Sequence, residues 1–333
     1  MEPLYRNILG KAWQITKKFK YLWLLGLFAA FLGNSAEYQV LIDQVNNVKN
    51  QASTLSLWQQ KLNLLIPQLD FTNGKVLLIV FILLVSLAVT LLVLWLIISS
   101  LGGLIKGAAE ADKGQKHKVG ELLKTGSRKF WPVLGLNVIA KLIIYGVLVL
   151  IIGPLMLATF AVGNYTVNLL IILISFIIFV PLTVIISMIA KFGSIYAVLE
   201  GQKFREAFKN GWRMFAANWL IAVEMAVIIF LINLLAGLIF GVLAIVLLAL
   251  ISFLSLGMAN ASLSVGVFTA GLYVSLLLLL AGSLFIGAVL ATFQTSAWTL
   301  LYLKLNSGVK VYSKLVRWIA AIFSKSKPVK LKE

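Results

Sequence analysis

The chain has no cysteine, which excludes disulfides, thiolate metal ligands and thiol nucleophiles together. Its one histidine, His117, stands in a Lys-rich stretch and reads as a solvated loop residue, not as a ligand or proton shuttle. Acids are scarce, 11 against 29 Lys and Arg. No HExxH, GxSxG or P-loop pattern occurs, and no two acids share a helical face within reach of one bond. The usual routes to catalysis are thus missing. The expectation is a protein that is not an enzyme, with no catalytic residues, no cofactor and no metal.

Charge of either sign is rare. Charged residues make up 12% of the chain and hydrophobic ones 61%, where a soluble domain carries about 25% charged. A water-soluble fold is excluded. The net charge of +18 would ordinarily suggest nucleic acid, but the cations flank apolar runs instead of lining a polar domain, so no nucleic-acid partner is expected. Anionic lipid headgroups are the natural counter-charge.

What the chain does have is long apolar runs. The first, Tyr21 to Gly33, follows Lys17, Lys18 and Lys20 and resembles a signal peptide, but Asn34-Ser35-Ala36 makes a poor cleavage site, so an uncleaved span is expected. Residues 34–75 form an outer polar segment whose apolar spacing predicts two short amphipathic helices. Val76 to Ile105, Pro132 to Phe160 and Asn168 to Ala190 each exceed the roughly 20 residues needed to cross a hydrocarbon core. Two further runs, about Ala216–Leu256 and Val265–Leu303, are near 40 residues; as straight helices they would outrun the bilayer, which predicts a kink, a re-entrant turn, an interfacial part or a split. Six spans in an all-α bundle are expected, or eight if both long runs divide.

Sidedness follows from the cations. Five precede the first span, seven lie between Lys106 and Lys129, five between Lys191 and Arg213, and eight from Lys304 onward. Only Lys49, Lys61 and Lys75 lie in the outer segments, and Lys141 lies inside a span. Lys and Arg concentrate on the cytoplasmic side, so both termini are expected there, in a prokaryotic plasma membrane.

Two of the basic segments, 106–131 and 191–215, repeat. A shift of 85 residues superimposes Glu121, Lys124, Gly126, Arg128 and Phe130 on Glu206, Lys209, Gly211, Arg213 and Phe215. Upstream, Gly114-Gln115-Lys116 recurs as Gly201-Gln202-Lys203. In each copy apolar positions fall at i, i+3, i+4, i+7 and i+11, the face of an amphipathic helix lying on the inner leaflet. Lys124, Arg128, Lys209 and Arg213 are the candidate headgroup contacts. A weaker copy around Leu9, Ala12, Trp13 and Thr16 precedes the first span, and a basic helix and tail over 307–333 closes the chain. The unit reads as surface helix, span outward, span inward, three times over, all copies running the same way, as in parallel-repeat transporters.

Ala12-Trp13, Leu22-Trp23 and Gly26, with Glu206-Ala207-Phe208, Gly211-Trp212 and Phe215, resemble a group of uncharacterised prokaryotic polytopic membrane proteins. That group is similar to the membrane domain attached to some glycerophosphoryl diester phosphodiesterases. The resemblance implies a helical membrane module without the catalytic barrel, and it carries over no site residue.

Inside the predicted spans lie Lys141 and Glu224, two residues apart in the repeat alignment. A charge at the membrane centre costs several kcal/mol on insertion scales, so they form a candidate intramembrane pair. Asn137, Asn218 and Asn233 are expected to tie helices together. Gly237 and Gly241 form a GxxxG, and Ser283, Gly287 and Ala291 a small-residue series, which suit close helix packing within the chain or between copies. The expected function is non-enzymatic, an inner surface engaging anionic lipid, a second copy or another membrane protein. The rival is a small-molecule or lipid transporter centred on Lys141 and Glu224.

Overall fold

A computed structural model describes residues 4–32, 73–162, 165–257 and 264–308. Every regular element among them is helical. In an apolar solvent each backbone N–H and C=O must be satisfied within its own segment, and a helix does that for a Leu, Ile and Val run. The order is α1 (Leu4–Lys18), α2 (Leu22–Ala29) continued by a 3-10 turn (Ala30–Leu32), α3 (Asn73–Asp112), α4 (Val119–Arg128), α5 (Phe130–Val162), α6 (Tyr165–Leu199), α7 (Phe204–Ala217), α8 (Trp219–Gly257) and α9 (Ser264–Asn306).

Five helices are long and apolar enough to cross a membrane, over Leu78–Asp112, Phe130–Ile151, Leu173–Leu199, Trp219–Phe253 and Thr269–Asn306. The two 40-residue runs neither split nor turn back. α8 is one helix of 39 residues and α9 one of 43, the latter about 64 Å long at 1.5 Å per residue. Their excess length is used at the charged end, where α9 buries Ala288, Phe293, Ala297, Leu301 and Tyr302. The first run supplies only Leu22–Leu32 as a short apolar helix within the described residues. The helices expected in 34–75 and 307–333 lie outside them, apart from residues 73–75, which begin α3, and the turn at Ser307-Gly308. Pro154 and Pro181 sit inside α5 and α6, which remain helical through both.

The chain divides into two compact units, one of residues 1–30, 100–126 and 212–333, the other of 31–99 and 127–211. In the first, α2 lies against α9 by way of small residues: a Cβ on Gly26 would sit 2.3 Å from the Ala288 carbonyl oxygen, and Gly287 faces Ala30. Thr292 donates to the Leu22 carbonyl at 3.3 Å. The Trp23 indole donates to Thr16 O at 2.9 Å, satisfying one of the orphan carbonyls at the end of α1. Of the small-residue series, then, the segment around Gly287 serves packing within the chain. Gly237 and Gly241 differ: among the described residues nothing lies within 4 Å of where a Cβ on either would stand.

The second unit is built on α5 and α6, whose shared core is Ile144, Leu148, Phe179 and Ile186. Against the charged end of α6 lies α7: a Cβ on Gly211 would fall 2.7 Å from Gly193 N and 2.9 Å from Ile189 O. Within the first unit α4 meets α3 in the same manner, Gly126 opposite Gly102 and the Leu122 carbonyl opposite Gly103.

Candidate functional site

Both basic helices start after a reversal that only glycine makes easily. Gly114 and Gly201 have φ of +78° and +74°. At the first, Gly114 N–H bonds Ala111 O at 3.0 Å and Gln115 N–H bonds Glu110 O at 3.1 Å, the paired closure of a Schellman motif. α4 then opens with the Glu121 carboxylate accepting the Lys118 N–H at 3.4 Å, half of a capping box. At the second, Lys129 Nζ donates to Gly201 O at 3.3 Å.

Each helix is two-faced. Leu122 and Gly126 of α4, and Ala207 and Gly211 of α7, are buried, while Lys124, Arg128, Lys209 and Arg213 are exposed. The four cations singled out by the repeat therefore stand on the uncovered faces. In α1 Ala12 and Thr16 are buried as expected, but Trp13 is 53% exposed and Leu9 only half-buried. The buried face is completed instead by Tyr5, Ile8 and Ile15. The apolar stripe is broader than the repeat suggested, and protein covers just one side of it.

The two residues of the candidate intramembrane pair fall in different units, Lys141 on α5 and Glu224 on α8. Both are half-buried. Glu224 accepts a hydrogen bond from the buried Tyr5 hydroxyl of α1, a partner 219 residues away that no local pattern could have indicated. Among the asparagines, Asn233 of α8 accepts from Gln294 Nε2 of α9 at 2.9 Å and does tie two helices. Asn137 donates to its own helix at Val133 O, 2.8 Å, and reaches Ser194 Oγ of α6 at 3.5 Å. Asn218 turns back onto Met214 O at 3.1 Å and secures the α7–α8 junction, not an interhelical contact.

His117 is not a free loop side chain. Its Nε2 lies 2.7 Å from Glu110 Oε2 and its Nδ1 3.5 Å from Glu121 Oε2, and Glu110 also pairs with Lys106 at 2.6 Å. The Tyr21 hydroxyl accepts the His117 N–H at 3.5 Å, and Lys11 pairs with Asp112 at 3.1 Å. This network joins α1, α3 and α4 at their charged ends. The sequence did hold a signal for it: the Gly114 reversal folds residue 117 back on 110, and Glu121 is one turn further on. Among the described residues no group of three or more His, Cys, Asp or Glu is placed to hold a metal.

An open groove of about 630 Å³ runs beside α1 in the first unit. Arg6, Leu9, Gly10 and Trp13 form one wall, and Ile232, Leu290 and Phe293 the other. Trp13 and Phe293 meet edge to face at 6.2 Å.

Among the described residues these features define an all-helical protein with five helices long and apolar enough to cross a membrane and with most of its basic residues near the helix ends. More particularly, the chain belongs to the family of the domain of unknown function DUF7847, whose model matches residues 63–305. No curated protein and no solved structure matches it.

Proposed function

We propose that this is a non-enzymatic, six-span protein of a prokaryotic plasma membrane, both termini cytoplasmic, whose basic inner surface engages anionic lipid and through it other membrane components. The observation that carries the reading is the exposure of Lys124, Arg128, Lys209 and Arg213 on helices whose opposite faces are buried at Leu122, Gly126, Ala207 and Gly211. Cations held this way cannot turn inward, and near an anionic surface each is worth about 1 kcal/mol. The threefold repeat belongs to the same proposal. It is supported by the buried Ala12, Leu122 and Ala207 at equivalent positions, and by positive-φ glycines at 114, 201 and 308, each following a long helix. So does the resemblance to the membrane domain attached to phosphodiesterases, a module with no catalytic group of its own.

Replacing Lys124, Arg128, Lys209 and Arg213 together by Gln tests the reading. The variant should lose co-purified anionic lipid, measured by mass spectrometry of the extracted lipid, while the other 21 clustered cations keep its orientation. Unchanged topology, stability and anionic lipid would leave those charges as insertion signals only.

The rival is a transporter centred on Lys141 and Glu224. Favouring it is one fact, a half-buried carboxylate in an apolar helix bonded to a tyrosine of another. The groove beside α1 is lined by neither residue.

A further inference from the structure

The groove beside α1 has the chemistry of a defined lipid site. Arg6, Leu9, Gly10 and Trp13 are at i, i+3, i+4 and i+7, one complete face of α1. That face is distinct from the buried Tyr5, Ile8, Ala12 and Ile15, which already pack within the protein. Across the opening stand Ile232 of α8 and Leu290 and Phe293 of α9, all apolar. The single charge in the lining is Arg6, which is exposed and makes no ion pair among the described residues. Two other cations of the same unit are paired, Lys11 with Asp112 and Lys106 with Glu110, and neither lines the groove.

The middle of the wall is Gly10. No atom of the described residues lies within 4 Å of where its Cβ would be, so glycine is not demanded there by packing. It leaves the floor of the groove open. The volume falls within the range of about 300–1,000 Å³ usual for small-molecule sites. Trp13, 53% exposed and held edge-on by Phe293, forms a rim of the amphipathic kind found at membrane interfaces.

The geometry points to one occupant: an anionic phospholipid with an acyl chain along Leu9, Gly10, Ile232 and Leu290 and its phosphate on the Arg6 guanidinium. A guanidinium binds phosphate through two parallel hydrogen bonds, and a lining whose one charge is a cation offers no carboxylate to a choline ammonium, so a net-anionic headgroup is favoured over a zwitterionic one. This deepens the proposed lipid-engaging function and rests on it, but it assigns a stoichiometric site on α1 in place of a surface.

The test uses the full-length chain in nanodiscs of phosphatidylcholine doped with phosphatidylglycerol carrying a diazirine on one acyl chain. After irradiation, adducts are mapped by peptide mass spectrometry. Labelling is expected on peptides covering 6–13 and 288–293, at least fivefold above that from a phosphatidylcholine probe of the same chain. Gly10→Leu should fill the groove and reduce this labelling at least fivefold with thermal stability unchanged. Arg6→Gln, at an exposed position, should remove the preference for phosphatidylglycerol while leaving residual chain labelling. The quadruple Lys124, Arg128, Lys209 and Arg213 variant should keep groove labelling and lose only bulk anionic lipid. Equal labelling by both probes in the unaltered chain, or full labelling in stable Gly10→Leu, overturns the site. If that happens while the quadruple variant still sheds anionic lipid, the surface role stands without the groove; the reverse pattern leaves the groove and removes the surface.

Discussion

Gly26 is where this structure makes its sharpest demand. An alanine there would place Cβ 2.2 Å from Thr292 Oγ1 and 2.3 Å from the Ala288 carbonyl oxygen. The hydroxyl can rotate, at the expense of its 2.8 Å bond to Ala288 O and its 3.3 Å bond to Leu22 O; the carbonyl, being backbone, cannot. Carbon and oxygen tolerate approach to about 3.3 Å, so α2 must retreat by roughly 1 Å. Gaps of that size forfeit about a quarter to a half of each dispersion contact, and overpacking costs typically 1–3 kcal/mol. Alanine returns about 0.5–1 kcal/mol through helix propensity. The net expectation is a loss of about 1 kcal/mol, with Trp23 pulled from its 5.4 Å contact with Phe285. Gly146→Ala on α5 is the control, since nothing described lies within 4 Å of that Cβ, and it should be neutral or stabilising. Both variants can be unfolded by SDS titration in mixed micelles with tryptophan fluorescence as the readout. Equal midpoints for Gly26→Ala and Gly146→Ala would refute the claim that α2 is seated on α9 through this glycine.

Topology can be probed without background because the chain has no cysteine. A cysteine at Ser53 should react with a membrane-impermeant reagent on intact cells, whereas those at Ser127 and Ser313 should react only after lysis; labelling of the Ser313 site from outside would break the even span count. For the buried acid, Tyr5→Phe and Glu224→Gln should each destabilise, and together by less than their sum, with a coupling of about 0.5–3 kcal/mol. Pairing Glu224→Gln with Lys141→Met in the same unfolding assay asks whether the two charges interact, because each single change would then strand the other; additive losses would dismiss the pair.

The class of the molecule is legible in the sequence because solvent dictates it. A 61% apolar chain with its cations in four blocks has few options, and the helices over 78–112, 130–151, 173–199, 219–253 and 269–306 follow the runs closely. The faces of α4 and α7 are legible too, since a period of 3.6 fixes which of Leu122, Lys124 and Arg128 can share a side. What escapes is whatever depends on a partner far along the chain. Tyr5 reaches Glu224 across 219 residues, and Asn233 meets Gln294 across 61, with no periodicity linking either pair. His117 escapes for a different reason: a single histidine among lysines looks solvated until the left-handed Gly114 returns the chain to Glu110. The 40-residue runs stay whole because a helix need not end where lipid ends.

The continuity of those long helices bears on how the fold is stabilised. On α3 the side chains from Leu78 to Leu94 are exposed or nearly so, and the first buried one is Ile98. On α8 Ile221, Ala222, Met225 and Ile229 are buried, and no described side chain beyond Ile229 is. α9 shows the reverse order along its sequence, exposed through Phe285 apart from a few positions and buried at most positions from Ala288 to Tyr302. All three helices therefore concentrate their protein contacts toward one end, around Lys106 on α3, next to α7 on α8 and toward Lys304 on α9. An exposed Leu in water would forfeit about 1.5–3 kcal/mol of burial, but lipid is as apolar as leucine, and the opposite halves need no protein cover. Packing is instead concentrated where α1, α2, α4 and α7 bring glycines and small side chains against the long helices at Gly26, Gly102, Gly126 and Gly211. Enlarging residues at those four positions should thus destabilise far more than enlarging Gly237 or Gly241, although the latter pair carries the motif better known for helix association.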